Sequence, residues 1–298
     1  MMAFLRRMLP GFLATCLLLV LLFVGNGLFF AARTSPYGRT TRHAPRRFDH
    51  GQRTVKIMAW NLAKAFAITN EGRFDSVAAV NARLEHFAQV IRDEDPDFVF
   101  LSEVMVAAGP MHYDQVLFLV EAAEMHAWAF GENYNIGVPG FRAVGGNAIL
   151  SRYPIEPLAN PNLAGRRPFF VGRNNRRVLW CTVHLAGQEL LLASIHNDSF
   201  NLENNRKQTQ EILDFAGARP AILAGDFNAE PGTPSIDLVL SSRNAAGDVH
   251  AGPTFPADAP TRRLDYIFAP SRWELLEFRI LEDTVSDHLP IVAVYRIP

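Results

Sequence analysis

Apolar residues fall along the chain in three rhythms, and each predicts a different kind of element. The first is a nearly uncharged run over residues 8–32, densest at 16–24 (CLLLVLLFV). It supplies the roughly 20 apolar residues that a bilayer core requires of a helix. The second is a series of short apolar or alternating runs, the mark of buried and half-buried strands. These cover residues 54–60, 98–101, 147–150, 178–185, 189–195, 221–224, 264–268 and 291–296. Only Ala186-Gly187-Gln188 separates 178–185 from 189–195, which predicts a hairpin. The third is a helical period over 73–92, 111–126 and 203–215, with a shorter helix over 235–240. Strands and helices alternate, but the hairpin spoils a purely parallel winding. The pattern therefore predicts an α/β sandwich of mixed sheets, not a doubly wound sheet.

The N-terminal run changes the picture of where the protein resides. Arg6 and Arg7 precede it, and only weak small-residue cleavage sites, Gly25 and Gly27, follow its apolar core. An uncleaved anchor over residues 1–33 is favoured over a signal peptide. Residues 34–53 are rich in Arg, Thr, Pro and His and read as a basic linker, leaving 54–298 as the folded domain. Arg6 and Arg7 argue for one orientation in the membrane, and Arg33, Arg39, Arg42, Arg46 and Arg47 for the other. Long domains cross regardless of such charges, and the reading leans towards a domain outside the cytoplasm. A basic arm of this kind also suits anionic lipid headgroups. Two cysteines, one in the apolar run and one in a strand, exclude a disulfide framework and a thiolate metal site.

Charge then narrows the substrate. Residues 54–298 carry 21 basic and 29 acidic side chains, a net of −8, beneath a near-neutral total of −1. Such a domain has no long-range attraction for a polyanion. The arginines at 166, 167, 173, 176 and 177 form the obvious local basic group, with Arg176 and Arg177 as candidate substrate contacts against a solvated-loop reading.

Candidate chemistry centres on 221–234, AILAGDFNAEPGTP, where a buried strand delivers Asp226 and Asn228. The bland reading is an Asx turn capping the next helix. Yet Asn61, Glu103, His196, Asp226, Asn228, Asp265, Asp287 and His288 all stand at strand ends, where α/β proteins place their sites. Neither a Gly-x-Ser-x-Gly elbow nor a Walker-type phosphate loop occurs, so serine-hydrolase and nucleotide-triphosphatase readings lack support.

Seven segments together resemble the endonuclease/exonuclease/phosphatase family of metal-dependent phosphoesterases. They are AWN at 59–61, PDFVFLSEV at 96–104, GNAILSRYPI at 146–155, SIHND at 194–198, GDFN at 225–228, RRLDYIF at 262–268 and SDHLPI at 286–291. The resemblance implies a four-layer sandwich of two mixed β-sheets flanked by helices, here behind one N-terminal transmembrane helix. It implies hydrolysis of a phosphoester with Mg²⁺ or Mn²⁺ held by Glu103, Asn61 and Asp287, hard oxygen donors that suit those ions. Asp226 and Asn228 would orient or deprotonate the attacking water. His288 would act as base or charge stabiliser with Asp265 fixing its tautomer, and His196, with Asp198 behind it, would stand near the leaving group. Ser102 and Asn197 depart from the residues usual beside Glu103 and His196, which bears on substrate more than on activity. A lipid or small-molecule phosphoester is expected ahead of nucleic acid. The alternatives are an exported or membrane-bound nuclease and a catalytically silent phosphate-binding scaffold. No protein partner is inferred.

Overall fold

The computed structural model describes residues 2–31, 33–47, 54–68, 73–109, 114–172 and 175–298. In chain order its helices are α1 (Met2–Gly25), α2 (Val77–Glu94), α3 (Gln115–Ala122), α4 (Leu202–Ala216) and α5 (Pro234–Leu240). Its strands are β1 (Tyr37–Thr40), β2 (Thr54–Asn61), β3 (Phe98–Gly109), β4 (Ala127–Val138), β5 (Phe141–Ser151) and β6 (Ile155–Ala159). They continue as β7 (Leu179–Leu185), β8 (Gln188–His196), β9 (Ala221–Asp226), β10 (Asp265–Phe268), β11 (Glu274–Ile280) and β12 (Ile291–Arg296).

The strands form a seven-stranded sheet, ordered β1-β4-β5-β3-β2-β12-β11, and a five-stranded sheet, ordered β10-β9-β8-β7-β6. Strands β2 and β3 are parallel, as are β8 and β9. The hairpin β7–β8 is antiparallel, as its short connection requires. The two sheets face each other across Ile57, Ala59, Phe98, Phe100, Leu192, Ile222, Ala224 and Ile267. The alternate residues point outward: Met58, Trp60 and Leu101 meet Leu84, Phe87 and Ile91 of α2, and Leu223 and Phe268 meet Ile212 of α4 and Ile236 of α5. Central strands buried on both faces read as unbroken apolar runs, which is why the sequence pattern finds them. Phe87 packs edge-on against Trp60 at 4.7 Å, and truncating such a ring costs about 3–5 kcal/mol. The fold class expected from the sequence is therefore borne out: two mixed sheets flanked by helices, with one long apolar helix in front.

That helix runs from Met8 to Phe30 with mean hydropathy 2.4, long and apolar enough to cross a membrane. After Gly25 it widens into a π-helical turn, Asn26–Phe30.

Several boundaries differ from the sequence reading, each for a local reason. Helix α2 starts at Val77, not at residue 73, because the Ser76 hydroxyl caps it by accepting from the Ala79 amide. Helix α3 is shorter than the expected 111–126: the Asp114 carboxylate accepts from the Leu117 amide at its start, and 111–113 lie outside the described residues. Strand β4 was not expected, because buried Glu132, Asn133 and Asn135 interrupt its apolar alternation. The expected linker is also tied to the fold. Residues 37–40 pair with β4 as an edge strand, and Arg46 donates to Asp97 at 2.7 Å and to Asp95 at 2.8 Å.

Candidate active site

Two parallel pairs bring their C-terminal ends to one edge, and antiparallel neighbours bring their beginnings to the same place. Asn61 closes β2, Glu103 lies in β3, His196 closes β8 and Asp226 closes β9. Asp265 opens β10, while Asp287 and His288 stand just before β12. In register, Asp226 lies opposite His196 on one side and Asp265 on the other. Gly225 makes this approach possible. Its φ is +133°, and an added Cβ would lie 2.2 Å from the Ile195 carbonyl oxygen. Glu103 sits where the β3–β5 register shifts, with φ at 52°, a bulge of the kind that re-aims a side chain beside a site.

The Asp226 carboxylate is the hub. It accepts from the Asn61 amide at 3.1 Å, from the Asn228 amide at 3.0 Å and from the Asn228 backbone N–H at 2.9 Å. Asn228 is left-handed (φ 48°) rather than extended, so the Asx turn exists, but it serves the site. Helix α5 begins later, after Thr233. His196 Nε2 faces Asp226 at 3.5 Å and Glu103 at 3.7 Å, and His288 Nε2 faces Asp226 at 3.8 Å.

The tautomers follow from the partners. Arg176 Nη1 lies 2.8 Å from His196 Nδ1; a guanidinium only donates, so Nδ1 accepts and the proton sits on Nε2. His288 Nδ1 lies 2.9 Å from Asp265 Oδ2, which accepts its proton, and the Thr254 hydroxyl donates to the same oxygen at 2.6 Å. Burial and then the Arg176 charge push His196 well below the ordinary histidine range. Burial also opposes charge on His288, but Asp265, Asp226 and Asp287 prevail and lift it to about 10. One imidazole is thus neutral and the other an imidazolium. Burial raises the Asp226 carboxyl above the usual carboxylate range. Burial works the same way on Glu103, yet Lys64, His196 and Arg176 overcome it and bring Glu103 down to about 2.

Lys64 is the first of three residues that the sequence reading missed. Its Nζ donates to Glu103 Oε2. It gets there because Ala63, Lys64, Ala65 and Phe66 are all left-handed, with φ of 46°, 63°, 48° and 50°, a conformation costing of order 1–3 kcal/mol at each non-glycine residue. Hydrogen bonds hold the turn: Asn61 Oδ1 accepts from the Ala63 amide, Gln115 donates to the Lys64 carbonyl at 2.7 Å, and Arg83 donates to that of Ala65 at 2.9 Å. A lone lysine in a glycine-free turn carries no motif, so only the fold reveals it. Thr254 and Ser286, which donates to the Asn61 carbonyl at 2.6 Å, were missed for the same reason.

The expected residues separate as follows. Asn61, Glu103, His196, Asp226, Asn228, Asp265 and His288 converge, and Asp287, next to His288, is exposed. Arg176 joins them. Arg177 does not: it is buried and donates to the carbonyls of Arg33 at 2.6 Å and Asn160 at 2.9 Å. Arg166 and Arg167 are exposed, and Arg173 lies outside the described residues. Asp198 is engaged in opening α4, accepting from the Phe200 and Asn201 amides, and other groups face both ring nitrogens of His196. Asn197 donates to the Thr209 hydroxyl of α4 at 3.0 Å, a structural tie.

The donor set suits a hard divalent cation. Ligand atoms of buried Asp226, Asp265 and His288 lie within 4.8 Å of one another. Ionised Glu103 stands beside them with a lysine as its present counter-charge. A cavity of about 720 Å³ opens beside Glu103, lined by Lys64, Glu103, Arg176 and His196 together with Asn133, Tyr134, Asn175 and Phe200.

Strand ends carrying these side chains in this order define a hydrolase of phosphoester bonds. Residues 58–288 match the endonuclease/exonuclease/phosphatase family, and the chain belongs to that family. It is 27% identical over 271 residues to the uncharacterized protein YbhP of Escherichia coli strain K12, covering 81% of this chain and 96% of that one. A crystal structure of an endonuclease/exonuclease/phosphatase from Beutenbergia cavernae is similar with a TM-score of 0.63 and 24% identity, over 83% of this chain and 72% of that one. The mannosyl-6-phosphatase of Bacteroides thetaiotaomicron is similar with a TM-score of 0.59 and 16% identity, over 81% and 99%. Humanized TDP2 from D. rerio has a TM-score of 0.59 and 19% identity, over 82% and 100%. These likenesses establish the shared fold.

Proposed function

We propose that the protein is a membrane-anchored phosphoesterase that uses a divalent cation and prefers lipid or small-molecule phosphoesters to nucleic acid. The observation that carries this reading is the buried Asp226–Asp265–His288 group, joined through His196 to ionised Glu103, which lines the cavity. Glu103, with Asn61 and Asp287 beside it, would hold a Mg²⁺ or Mn²⁺ ion, which would supply charge neutralisation at the phosphoryl oxygens.

The chain's own residues do the rest. Water adds to phosphorus and the ester P–O bond breaks. Asp226, made more basic by burial, takes the proton of the water, and Asn228 fixes the orientation of that carboxylate. The His288 imidazolium, held by Asp265, donates to a phosphoryl oxygen. His196 directs its Nε2–H towards the departing oxygen, which is protonated from water at the mouth. A silent phosphate-binding scaffold has no use for so many buried ionisable groups, each costly to desolvate. The negative charge of 54–298 weighs against a nuclease, and the apolar helix, read as an anchor, would hold the site near phosphate-bearing lipid. The leaning towards a domain outside the cytoplasm rests on long domains crossing regardless of flanking charge, and protease digestion of intact cells tests it.

Purified protein is assayed against soluble phosphomonoesters and phosphodiesters, phospholipid vesicles, RNA and plasmid DNA, with Mg²⁺ and with EDTA. Hydrolysis that EDTA abolishes and Mg²⁺ restores is expected. Full activity in EDTA would overturn the reading.

A further inference from the structure

We infer that the substrate is a phospholipid still seated in the bilayer, which the pocket reaches because the end of the apolar helix is docked onto the pocket wall. The inference rests on the phosphoesterase reading above and names its substrate class.

The docking comes first. Asn26, a polar residue at the end of an apolar span, is buried, and its amide donates to the Asn135 side chain of β4 at 3.1 Å. Gly27 lies so close to the Phe169 ring that an added Cβ would stand 2.0 Å from it, and Phe23 packs against the same ring at 5.6 Å. Beyond the helix, the Arg33 carbonyl accepts from Arg177 and from Asn160, each at 2.6 Å, and β1 then pairs with β4. From Phe23 to Thr40 the chain is repeatedly tied to one wall. A swinging tether would not need a buried carboxamide pair at its root.

That wall also faces the cavity. Tyr134 and Ile136, either side of Asn135, line the pocket, and so does Gly172, where an added Cβ would lie 3.2 Å from Ile136 Cδ1. Successive parts of one loop therefore serve both places. Phe169 meets the helix, Gly172 and Arg176 meet the pocket, and Arg177 meets the segment after the helix.

The rim and the interior then point to one ligand. Phe170 is 56% exposed, Phe200 66% and Leu202 75%, and exposed Phe74 and Phe141 pack together near pocket-lining Ile68 and Ala143. Half-exposed aromatic and aliphatic side chains beside a membrane helix suit the lipid interface. Inside, the Oδ1 atoms of Asn133 and Asn175 are buried and have no hydrogen-bond partner among the described residues, although both residues line the cavity. They are acceptors for a headgroup that carries hydroxyl or ammonium donors. A phosphate at the Lys64–Arg176–His196 end, a donor-bearing headgroup against the asparagines and acyl chains left in the bilayer beyond Phe200 match this layout. A free phosphoester uses the interior alone.

The test uses the full chain reconstituted with Mg²⁺ into vesicles of equal phosphatidylethanolamine and phosphatidylglycerol. Hydrolysis of the vesicle phospholipid is compared with that of soluble bis(p-nitrophenyl) phosphate. Gly27→Leu keeps the span apolar but breaks the dock. It should lower phospholipid hydrolysis about tenfold or more, through lost effective concentration at the interface, with a change of less than about threefold on the soluble ester. Soluble ester hydrolysed with phospholipid untouched would overturn the inference and leave the phosphoesterase reading standing; equal losses on both substrates would also overturn it. Hydrolysis of neither substrate, nor of any other in the panel above, would overturn the phosphoesterase reading itself. Fluorescence of Phe170→Trp in the same vesicles, made with brominated lipid, gives an independent readout. Quenching beyond that of the parent protein is expected, and its absence would contradict the seated rim even if Gly27→Leu fails to accumulate.

Discussion

On the floor of the site, side chains from the ends of both sheets satisfy one another. Asp226 alone accepts from Asn61 and twice from Asn228, and Asp265 holds both His288 and Thr254. On the rim, Phe170, Phe200 and Leu202 stand mostly in solvent, and inside the cavity the buried carboxamide oxygens of Asn133 and Asn175 lack partners among the described residues. Buried polar networks carry a large penalty when any member is missing, so the floor tolerates little variation. The rim contributes little to folding and is free to be shaped by what it meets. On the proposed reading, the floor sets the reaction and the rim sets its substrate.

Breaking the floor should have the largest effect. Asp226→Asn removes the proton acceptor while keeping the shape, and kcat should fall on the order of 10²-fold or more on every phosphoester, as for a positioned acid–base group. Steady-state kinetics check this, with circular dichroism to confirm the fold. Gly225→Ala strikes the geometry that brings Asp226 to its neighbours. The backbone strain and the collision with the Ile195 carbonyl should cost at least about 1–3 kcal/mol, read as a lower urea midpoint with an unchanged m-value. The smallest effect lies far from both regions. Arg279 donates to Glu94 and, despite an opposing contribution from burial, lowers its carboxyl pKa below the ordinary 4.5, with Lys56 assisting by charge. A depressed carboxylate stabilises the fold above its unfolded pKa and loses that contribution as pH falls through its folded value. Glu94→Gln should cost less than about 1 kcal/mol at neutral pH. The difference should fade in strong acid and shrink with added salt, leaving kcat intact.

The floor was largely legible in the sequence because strand ends display their polar residues as interruptions of apolar runs. Asn61, His196, Asp226 and His288 each stand out this way. The rim was not. Strand β4 carries Tyr134 and Ile136 to the pocket, but its buried Glu132, Asn133 and Asn135 disguise it as a loop. Strand β1 is four residues, YGRT, inside a basic stretch, and β11 is an exposed edge whose charges hide its alternation. Arg176 and Arg177 looked equivalent in a basic cluster. Successive side chains of an extended segment point to opposite sides, so one reaches His196 and the other reaches the helix root. Lys64 depends on a left-handed turn held by Gln115 and Arg83, residues distant in sequence.

The division of labour between floor and rim is tested most directly by one crossed measurement. Reconstituted wild-type protein, Asp226→Asn and Gly27→Leu are each given phospholipid vesicles and bis(p-nitrophenyl) phosphate, and kcat/KM is determined for all six combinations. Asp226→Asn should lose on the order of 10²-fold or more on both substrates, whereas Gly27→Leu should lose its activity on vesicles alone. An Asp226→Asn enzyme that keeps either activity, or a Gly27→Leu enzyme equally impaired on both, would contradict the account.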